Sequence, residues 1–342
     1  MKPLKAEFQE AGDRKQEAVG GPCVRYRLLP SASCLPASAG LPRILHLITN
    51  FEVGGTERQA VELLKRLDPD RYDVRLAALR NQGPFYREIA GRFPDIPEFP
   101  LTSFYNANAV KQFLRLRALL ARERVQILHA HDFYAGMIGA AAARSAGVKV
   151  IACQRHLRLS DRRVHEWGHR LIHRLAHRIL VNSQAIRDHI VAAGSAPPEK
   201  VVVIENGLCA PDDDGTAPAV GAGRLSRHAE VCRELGLSQE AKLVGMVARL
   251  QPVKGHRFFL EAAAAVARAD GNAHFILVGG GPLRGEIERQ AAELGIADRV
   301  HLLGERADVG RLLSSFHLAA LASLHEGLPN AVMEAMAAGV PV

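Results

Sequence analysis

The hydrophobic residues of this chain follow two alternating patterns. Short continuous apolar runs occur in two series, over residues 44–49, 74–79, 127–130, 148–153 and 179–182 and over residues 243–247, 274–278, 300–303 and 318–321. Helical patterns with apolar residues on one face lie between them, over residues 56–67, 109–123, 256–268, 283–294 and 307–314. Apolar strands that alternate with helices predict an α/β protein with parallel sheets covered on both faces.

The alternation lapses over residues 209–240, where an acidic run precedes a stretch rich in Gly and Ala. This composition is typical of a connection between domains, here followed by a short helix. We therefore predict one parallel-sheet domain over residues 41–208 and a second over residues 241–342. Residues 1–40 show no periodicity and are predicted to be a flexible extension.

The net charge of the chain limits the kinds of binding partner to be expected. The formal net charge is +8 and the pI is about 9.5, which favours nucleic acid, anionic lipid or phosphorylated substrates. Aromatic residues make up only 5% of the chain and are not interleaved with basic ones, which argues against a platform for stacking single strands. We expect no nucleic-acid partner.

Cysteines and apolar runs indicate the compartment. The five cysteines are scattered and lack CxxC spacing, so neither a disulfide framework nor a zinc site is predicted. No apolar run is of signal-peptide type or of membrane-spanning length. We expect a cytoplasmic protein.

Two glutamates near the end of the chain give the clearest chemical signal. Pro329 suits the first turn of a helix and Gly339 the position after its end, which places Glu334 on the helix and Glu326 on the loop before it. Their separation, about 12 Å along a helix, suits contacts with a long polyhydroxylated ligand at two points better than acid–base chemistry on one bond. A helix N-terminus between them would attract an anion, so the segment predicts a nucleotide-sugar site.

Two other loops follow strands of the second series. Arg249 and Lys254 offer a guanidinium fork and a mobile ammonium group, which together suit a diphosphate leaving group. Gly279 and Gly281 predict a tight turn, but a dinucleotide fingerprint would need glycine where Arg284 stands. The turn therefore disfavours a dehydrogenase, and packing and ligand contact stay open as its role.

In the first domain, Gly54 and Gly55 open a helix at a point where backbone can approach phosphate or sugar. His131 falls at a strand end, where a catalytic or sugar-contacting imidazole would lie, with a structural role as the alternative. One motif misleads. His165, Glu166 and His169 match the HExxH pattern of zinc peptidases, but Gly168 weakens the helix that such a site requires.

We reject a zinc site at this motif, because further histidines continue the same spacing with arginines between them. We interpret residues 162–178 as one basic helix that is either solvated or lies against an anionic membrane.

Taken together, these motifs resemble the GT-B-fold glycosyltransferases of family 4, which are retaining enzymes that use nucleotide-sugars. The resemblance runs from about residue 43 to the last residue, and its specificity comes from the order and spacing of motifs that are individually common. The matching segments are Gly54 with Gly55, His129 to Asp132, Val181 to Ser183, Val203 to Gly207, Arg249 with Lys254, Leu277 to Pro282, and Glu326 to Glu334.

The resemblance implies two Rossmann-like domains that face a cleft, and it implies roles for particular residues. The implied donor contacts are Arg249 and Lys254 to the diphosphate, Glu334 to the ribose, and Glu326 with the backbone N–H groups of Gly327 and Leu328 to the transferred sugar. The implied contacts from the first domain are His131 beside the reacting sugar and Gly54 with Gly55 along the cleft. The resemblance also implies that no cofactor and no metal ion are needed, with fixed positive charge stabilising the leaving group.

The chain departs from the family at two places. Glu205 precedes Asn206 where the family usually has proline, and the aspartate expected shortly after is missing. The sequence also stops at Val342, where relatives continue into further elements. We therefore expect a truncated second domain that exposes a sheet edge and folds poorly or is inactive.

Two alternatives to a transferase stay open on sequence alone. One is a GT-B-fold sugar-nucleotide epimerase, and the other is an inactive nucleotide-sugar-binding protein. For a transferase, the basic helices over residues 111–124 and 162–178 favour a lipid-linked or cell-envelope acceptor and peripheral contact with an anionic membrane. The donor sugar, the base and the linkage are not specified by these motifs.

Overall fold

The structure is a computed structural model that describes residues 40–157, 163–208 and 223–342. The predicted N-terminal extension lies outside the described residues except for Gly40. Within the described ranges the chain forms two parallel sheets, one of six strands and one of four. We call each sheet with its helices a lobe.

The first lobe has strand order β2-β1-β3-β4-β5-β6, and every pair is parallel. Its strands are β1 (Arg43–Ile48), β2 (Asp73–Ala78), β3 (Ile127–Ala130), β4 (Lys149–Gln154), β5 (Arg178–Val181) and β6 (Val201–Val203). Its helices are α1 (Gly55–Arg66), α2 (Phe85–Ala90), α3 (Ala107–Arg122), α4 (Phe133–Ser145), α5 (Arg163–Leu175) and α6 (Gln184–Ala192).

The second lobe has strand order β10-β7-β8-β9, again all parallel. Its strands are β7 (Lys242–Val247), β8 (Ala273–Val278), β9 (Val300–Gly304) and β10 (Leu318–Ala319). Its helices are α7 (Arg224–Glu234), α8 (His256–Ala269), α9 (Arg284–Glu293), α10 (Val309–Ser315) and α11 (Asn330–Ala337).

Each lobe has its own hydrophobic core. Leu45, Leu128 and Ile179 belong to the main core of the first lobe, whereas Leu243 and Ile276 belong to a core of the second. None of the core clusters found in the described residues joins the two sheets. The short helix predicted within residues 209–240 is α7, whose Val231 and Cys232 are buried in the second lobe.

The predicted strands are all present, and most of their bounds shift by one residue. The exception is the run over residues 318–321, where only Leu318–Ala319 is a strand. The basic helix predicted over residues 162–178 ends at Leu175, because the His177 N–H already donates to the Val150 carbonyl and begins pairing with the sheet.

Candidate functional site

The candidate residues gather where each sheet reverses its strand order. In the first lobe the reversal falls between β1 and β3, which precede Gly54 and His131. In the second lobe it falls between β7 and β10, which precede the loops of Arg249 and Glu326. Parallel sheets bind ligands in the crevice beyond the carboxyl ends of the strands at such reversals. The topology thus brings together segments that are far apart in sequence.

An ion pair links the two loops at the crevice of the second lobe. Lys254 ends a short 3-10 helix, and Glu326 lies on the loop before α11. Lys254 Nζ lies 2.5 Å from Glu326 Oε1, and the two side chains are 20% and 19% exposed. A group predicted to hold phosphate therefore contacts a group predicted to hold sugar.

Charges from both lobes converge near this pair. Burial raises the pKa of the Glu57 carboxyl on α1, while the positive charges of Arg249 and Arg155 oppose that rise. The charges of Lys254 and Glu326 both act on the imidazole of His156, which follows β4. The site therefore has cations on both walls and a first-lobe carboxylate that faces them.

Sequence reasoning missed Glu57, Arg155 and His156. All three carried a usable signal, because Glu57 follows a glycine turn in the first turn of a helix and the other two follow a strand directly. The rule that ligands bind beyond strand ends applies to β4 as much as to β3.

The Gly54 and Gly55 turn touches the second lobe. The carboxylate of Glu57 occupies the space beside Gly54 that a Cβ would fill. Asn330 Nδ2, at the start of α11, donates to the Gly55 carbonyl at 3.4 Å. This turn thus lies at the junction of the two lobes, and a ligand contact by its backbone stays a prediction.

Glu334 also lies between the lobes. Burial raises the pKa of its carboxyl, and the charge of Arg58 on α1 opposes the rise. Its implied contact with a ribose stays a prediction, as do the implied sugar contacts of Gly327 and Leu328.

His131 belongs to a buried cluster of histidines. His46 on β1 pairs in register with His129 on β3, so alternation along the strand places all three imidazoles on one face of the sheet. His46 Nδ1 lies 2.8 Å from His131 Nε2, and His129 Nε2 lies 3.1 Å from Cys153 Sγ. His131 is only 1% exposed, so its imidazole lies beneath the cleft surface.

Burial lowers the pKa of each of these imidazoles, that of His46 to about 4. Among the described residues they are the one group whose nitrogen atoms are close enough to hold a metal ion. Three of their nitrogens already contact His or Cys partners, and His46 Nε2 and His131 Nδ1 have no partner in the described part of the chain. We interpret the cluster as a hydrogen-bonded pair of His46 and His131 against which the ring of His129 stacks.

The glycine turn after β8 packs against backbone. Gly279 has φ +143° and Gly281 φ +149°, and a Cβ on either would overlap the carbonyl of Ala248 or Leu250. Of the two roles left open for this turn, packing is the one that these contacts explain.

The HExxH segment lies on α5, so the predicted basic helix is confirmed here despite Gly168. A Cβ on Gly168 would overlap the ring of Phe133, which shows why glycine is needed there. The rings of His165 and His169 both contact Phe133, with centroids 5.1 and 4.8 Å away. Neither histidine belongs to a metal-binding group within the described residues.

Comparison with known proteins assigns the family. The model described as "Glycosyltransferase Family 4" matches residues 53–209, and the model described as "Glycosyl transferases group 1" matches residues 241–342. A protein of Bacillus subtilis named "Putative glycosyltransferase EpsF" is 30% identical over 317 residues, which span 87% of this chain and 78% of the relative. The chain belongs to glycosyltransferase family 4.

A second relative of this glycosyltransferase is the Escherichia coli "UDP-Gal:alpha-D-GlcNAc-diphosphoundecaprenol alpha-1,3-galactosyltransferase". It is 26% identical, over 87% of this chain and 78% of its own length. Both family models and both relatives are glycosyltransferases by description, which favours a transferase over an epimerase.

The predicted GT-B fold is confirmed by similarity to solved structures, one of which is the glycosyltransferase WaaG. The structure of Anabaena HepE, solved with UDP and glucose, superposes with a TM-score of 0.71 at 23% identity. The similarity covers 87% of this chain and 79% of HepE. No helix in the described ranges combines the length and apolar character needed to cross a membrane.

Proposed function

We propose that this glycosyltransferase transfers a sugar from a nucleoside diphosphate donor to an acceptor, with retention of the anomeric configuration and without a metal ion. The observation that carries the proposal is the Lys254 to Glu326 contact of 2.5 Å at the strand-order reversal of the second lobe. Anabaena HepE, which has the same fold, was crystallised in complex with UDP and glucose.

The reaction needs a stabilised leaving group more than it needs a nucleophile from the protein. Arg249 and Lys254 supply fixed positive charge where negative charge develops on the departing diphosphate, and this charge requires no reorganisation during the reaction. Glu326 accepts hydrogen bonds from hydroxyl groups of the sugar, and Glu334 accepts those of the ribose. No covalent intermediate is invoked.

The test is binding of UDP, GDP and ADP to the full chain by calorimetry, followed by turnover with the matching nucleotide-sugars. Replacing Arg249 and Lys254 by alanine should weaken binding about 10- to 100-fold for each cation, because each charged hydrogen bond contributes about 1.5–3 kcal/mol. Arg257→Ala is the matched control, since this cation is 73% exposed and forms its ion pair with Glu261 on the same helix.

Three outcomes would contradict the proposal. The first is no affinity for any nucleoside diphosphate or its sugar conjugate. The second is a double variant that binds as the wild type does. The third, which overturns only the mechanism, is loss of activity in EDTA or a product of inverted configuration.

For the acceptor, we propose a lipid-linked molecule at an anionic membrane surface. Helices α3, α4 and α5 pack side by side on the first lobe, and α5 exposes Val164 at 60%, Trp167 at 69% and Leu171 at 45%. Arg170 and Arg174 are exposed on the same helix. Apolar residues flanked by cations suit the interface of anionic lipids, and the name of the Escherichia coli relative includes a diphosphoundecaprenol acceptor.

A further inference from the structure

The connection that leaves β6 contains an asparagine with three polar partners. Arg155 Nη1 donates to Asn206 Oδ1 at 2.9 Å. Asn206 Nδ2 donates to the Leu328 carbonyl at 3.2 Å and to Asn330 Oδ1 at 2.8 Å. A guanidinium only donates and a carbonyl only accepts, so these partners fix the orientation of the amide without ambiguity.

These bonds join the first lobe to the loop that carries the predicted sugar contacts. Arg155 follows β4, whereas Leu328 and Asn330 end the loop that begins at Glu326. The charged bond to Oδ1 polarises the amide and strengthens the bonds that Nδ2 donates. The position of the loop therefore depends on a polar contact from the opposite lobe.

The backbone of Gly327 confirms how closely this loop approaches the first lobe. A Cβ at position 327 would lie 2.5 Å from Asn182 Oδ1, 2.6 Å from Ile186 Cδ1 and 2.8 Å from the Arg155 carbonyl oxygen. The loop is thus seated directly against the first lobe, and a small rotation of the Leu328 peptide would move both Glu326 and the neighbouring N–H groups.

We propose that Asn206 is a positioning residue for the transferred sugar. By holding the Leu328 carbonyl, it orients the loop so that Glu326 and the N–H groups of Gly327 and Leu328 face the reacting sugar, while Arg249 and Lys254 lie on a different loop, after β7. The inference rests on the proposed function, because it assumes that this loop binds the sugar of the donor.

The test is Asn206→Asp, which keeps the size of the side chain and an oxygen toward Arg155. Its second oxygen would face the Leu328 carbonyl without a proton to donate. Turnover of the nucleotide-sugar at saturation should fall about 10- to 100-fold, as expected for a misplaced reacting group. Affinity for the free nucleoside diphosphate should stay within about twofold of the wild type, because this ligand lacks the sugar that the loop is proposed to bind.

Two further variants separate positioning from general damage. Gln59→Ala removes the reciprocal bonds of 2.7 and 3.2 Å between Gln59 and Gly207 in the same connection, and it should leave turnover unchanged. Asn206→Gln keeps the amide and should recover part of the lost turnover, with thermal unfolding of each variant measured alongside.

Four results would overturn the inference. Turnover of Asn206→Asp at the wild-type rate refutes this inference but leaves the proposed function standing. An equal loss of diphosphate affinity and turnover, or an equal loss in Gln59→Ala, shows a structural role instead. A wild-type chain that binds no nucleoside diphosphate refutes the proposed function and this inference with it.

Discussion

The buried imidazole of His46 should make folding sensitive to acid. Burial lowers its pKa to about 4 in the folded chain, while the unfolded chain binds a proton below about pH 6.5. Stability is therefore present above pH 6.5 and is lost as the pH falls toward 4, because the unfolded state then binds more protons. Each pH unit in this window costs about 1.4 kcal/mol for one such histidine.

We predict that His46→Gln reduces this acid sensitivity. Between pH 6.5 and pH 5 the free energy of unfolding should fall by about 2 kcal/mol less in the variant than in the wild type. Urea unfolding at several pH values measures the difference. Parallel pH dependences of the two proteins would show that the folded imidazole titrates as it does in the unfolded chain.

At the scale of single residues, the sequence was sufficient where a side chain follows its own strand. Lys254 and Glu326 were singled out from the loops that carry them, and the structure brings them into contact. The role of Asn206 could not be found this way, because it depends on hydrogen bonds between segments far apart in the chain.

At the scale of elements, the entry to α8 depends on a glycine. Gly255 precedes the helix with φ +69°, and a Cβ there would overlap the Ala322 carbonyl. Gly295 has nearly the same φ, +70°, with nothing within 4 Å of the space for a Cβ. Alanine at position 295 would therefore introduce backbone strain alone, whereas alanine at position 255 would add steric overlap to the same strain.

We predict that Gly295→Ala costs about 1–2 kcal/mol of unfolding free energy, the penalty for a left-handed backbone. Gly255→Ala should cost about 1–3 kcal/mol more, the usual effect of overpacking, and should weaken diphosphate binding because Lys254 precedes it. Urea unfolding and calorimetry measure the two effects. Equal losses in both variants would mean that the Ala322 carbonyl moves aside with no cost in unfolding free energy.

Two of the elements that sequence analysis did not predict, α4 and β6, lack a clear period. Helix α4 is rich in Ala and Gly and is buried on several faces, because Gly139 lies against Leu47 and Leu128 of the sheet. A helix surrounded by neighbours shows no polar stripe, so its pattern does not distinguish it from a loop or a strand. Strand β6 is only three residues long, which is too short for alternation to be read.

At the scale of the whole molecule, the lobes meet through polar contacts while each keeps a separate core. The bonds from Asn206 to Leu328 and Asn330, and from Asn330 to Gly55, are the kind that exchange readily with water. Interfaces of this type permit relative motion of domains. Movement between an open and a closed cleft is therefore compatible with two intact sheets.

The exposed face of α5 leads to a prediction about the molecule as a surface-bound catalyst. The double variant Trp167→Ser with Leu171→Ser should bind phosphatidylglycerol-containing vesicles at least about tenfold more weakly, because each apolar side chain contributes about 1.5–3 kcal/mol on full burial. The matched control is Leu225→Ser on α7, which removes an apolar side chain that is 86% exposed on the second lobe.

Cosedimentation of the full chain with vesicles measures this binding. Wild-type binding should decrease as salt is added, since the Debye length shortens and the cations of α5 are screened. Vesicles of phosphatidylcholine alone should bind weakly, because they offer no negative surface potential. Equal losses in the Leu225 control, or equal binding to both vesicle types, would show that the first lobe does not present a dedicated membrane surface.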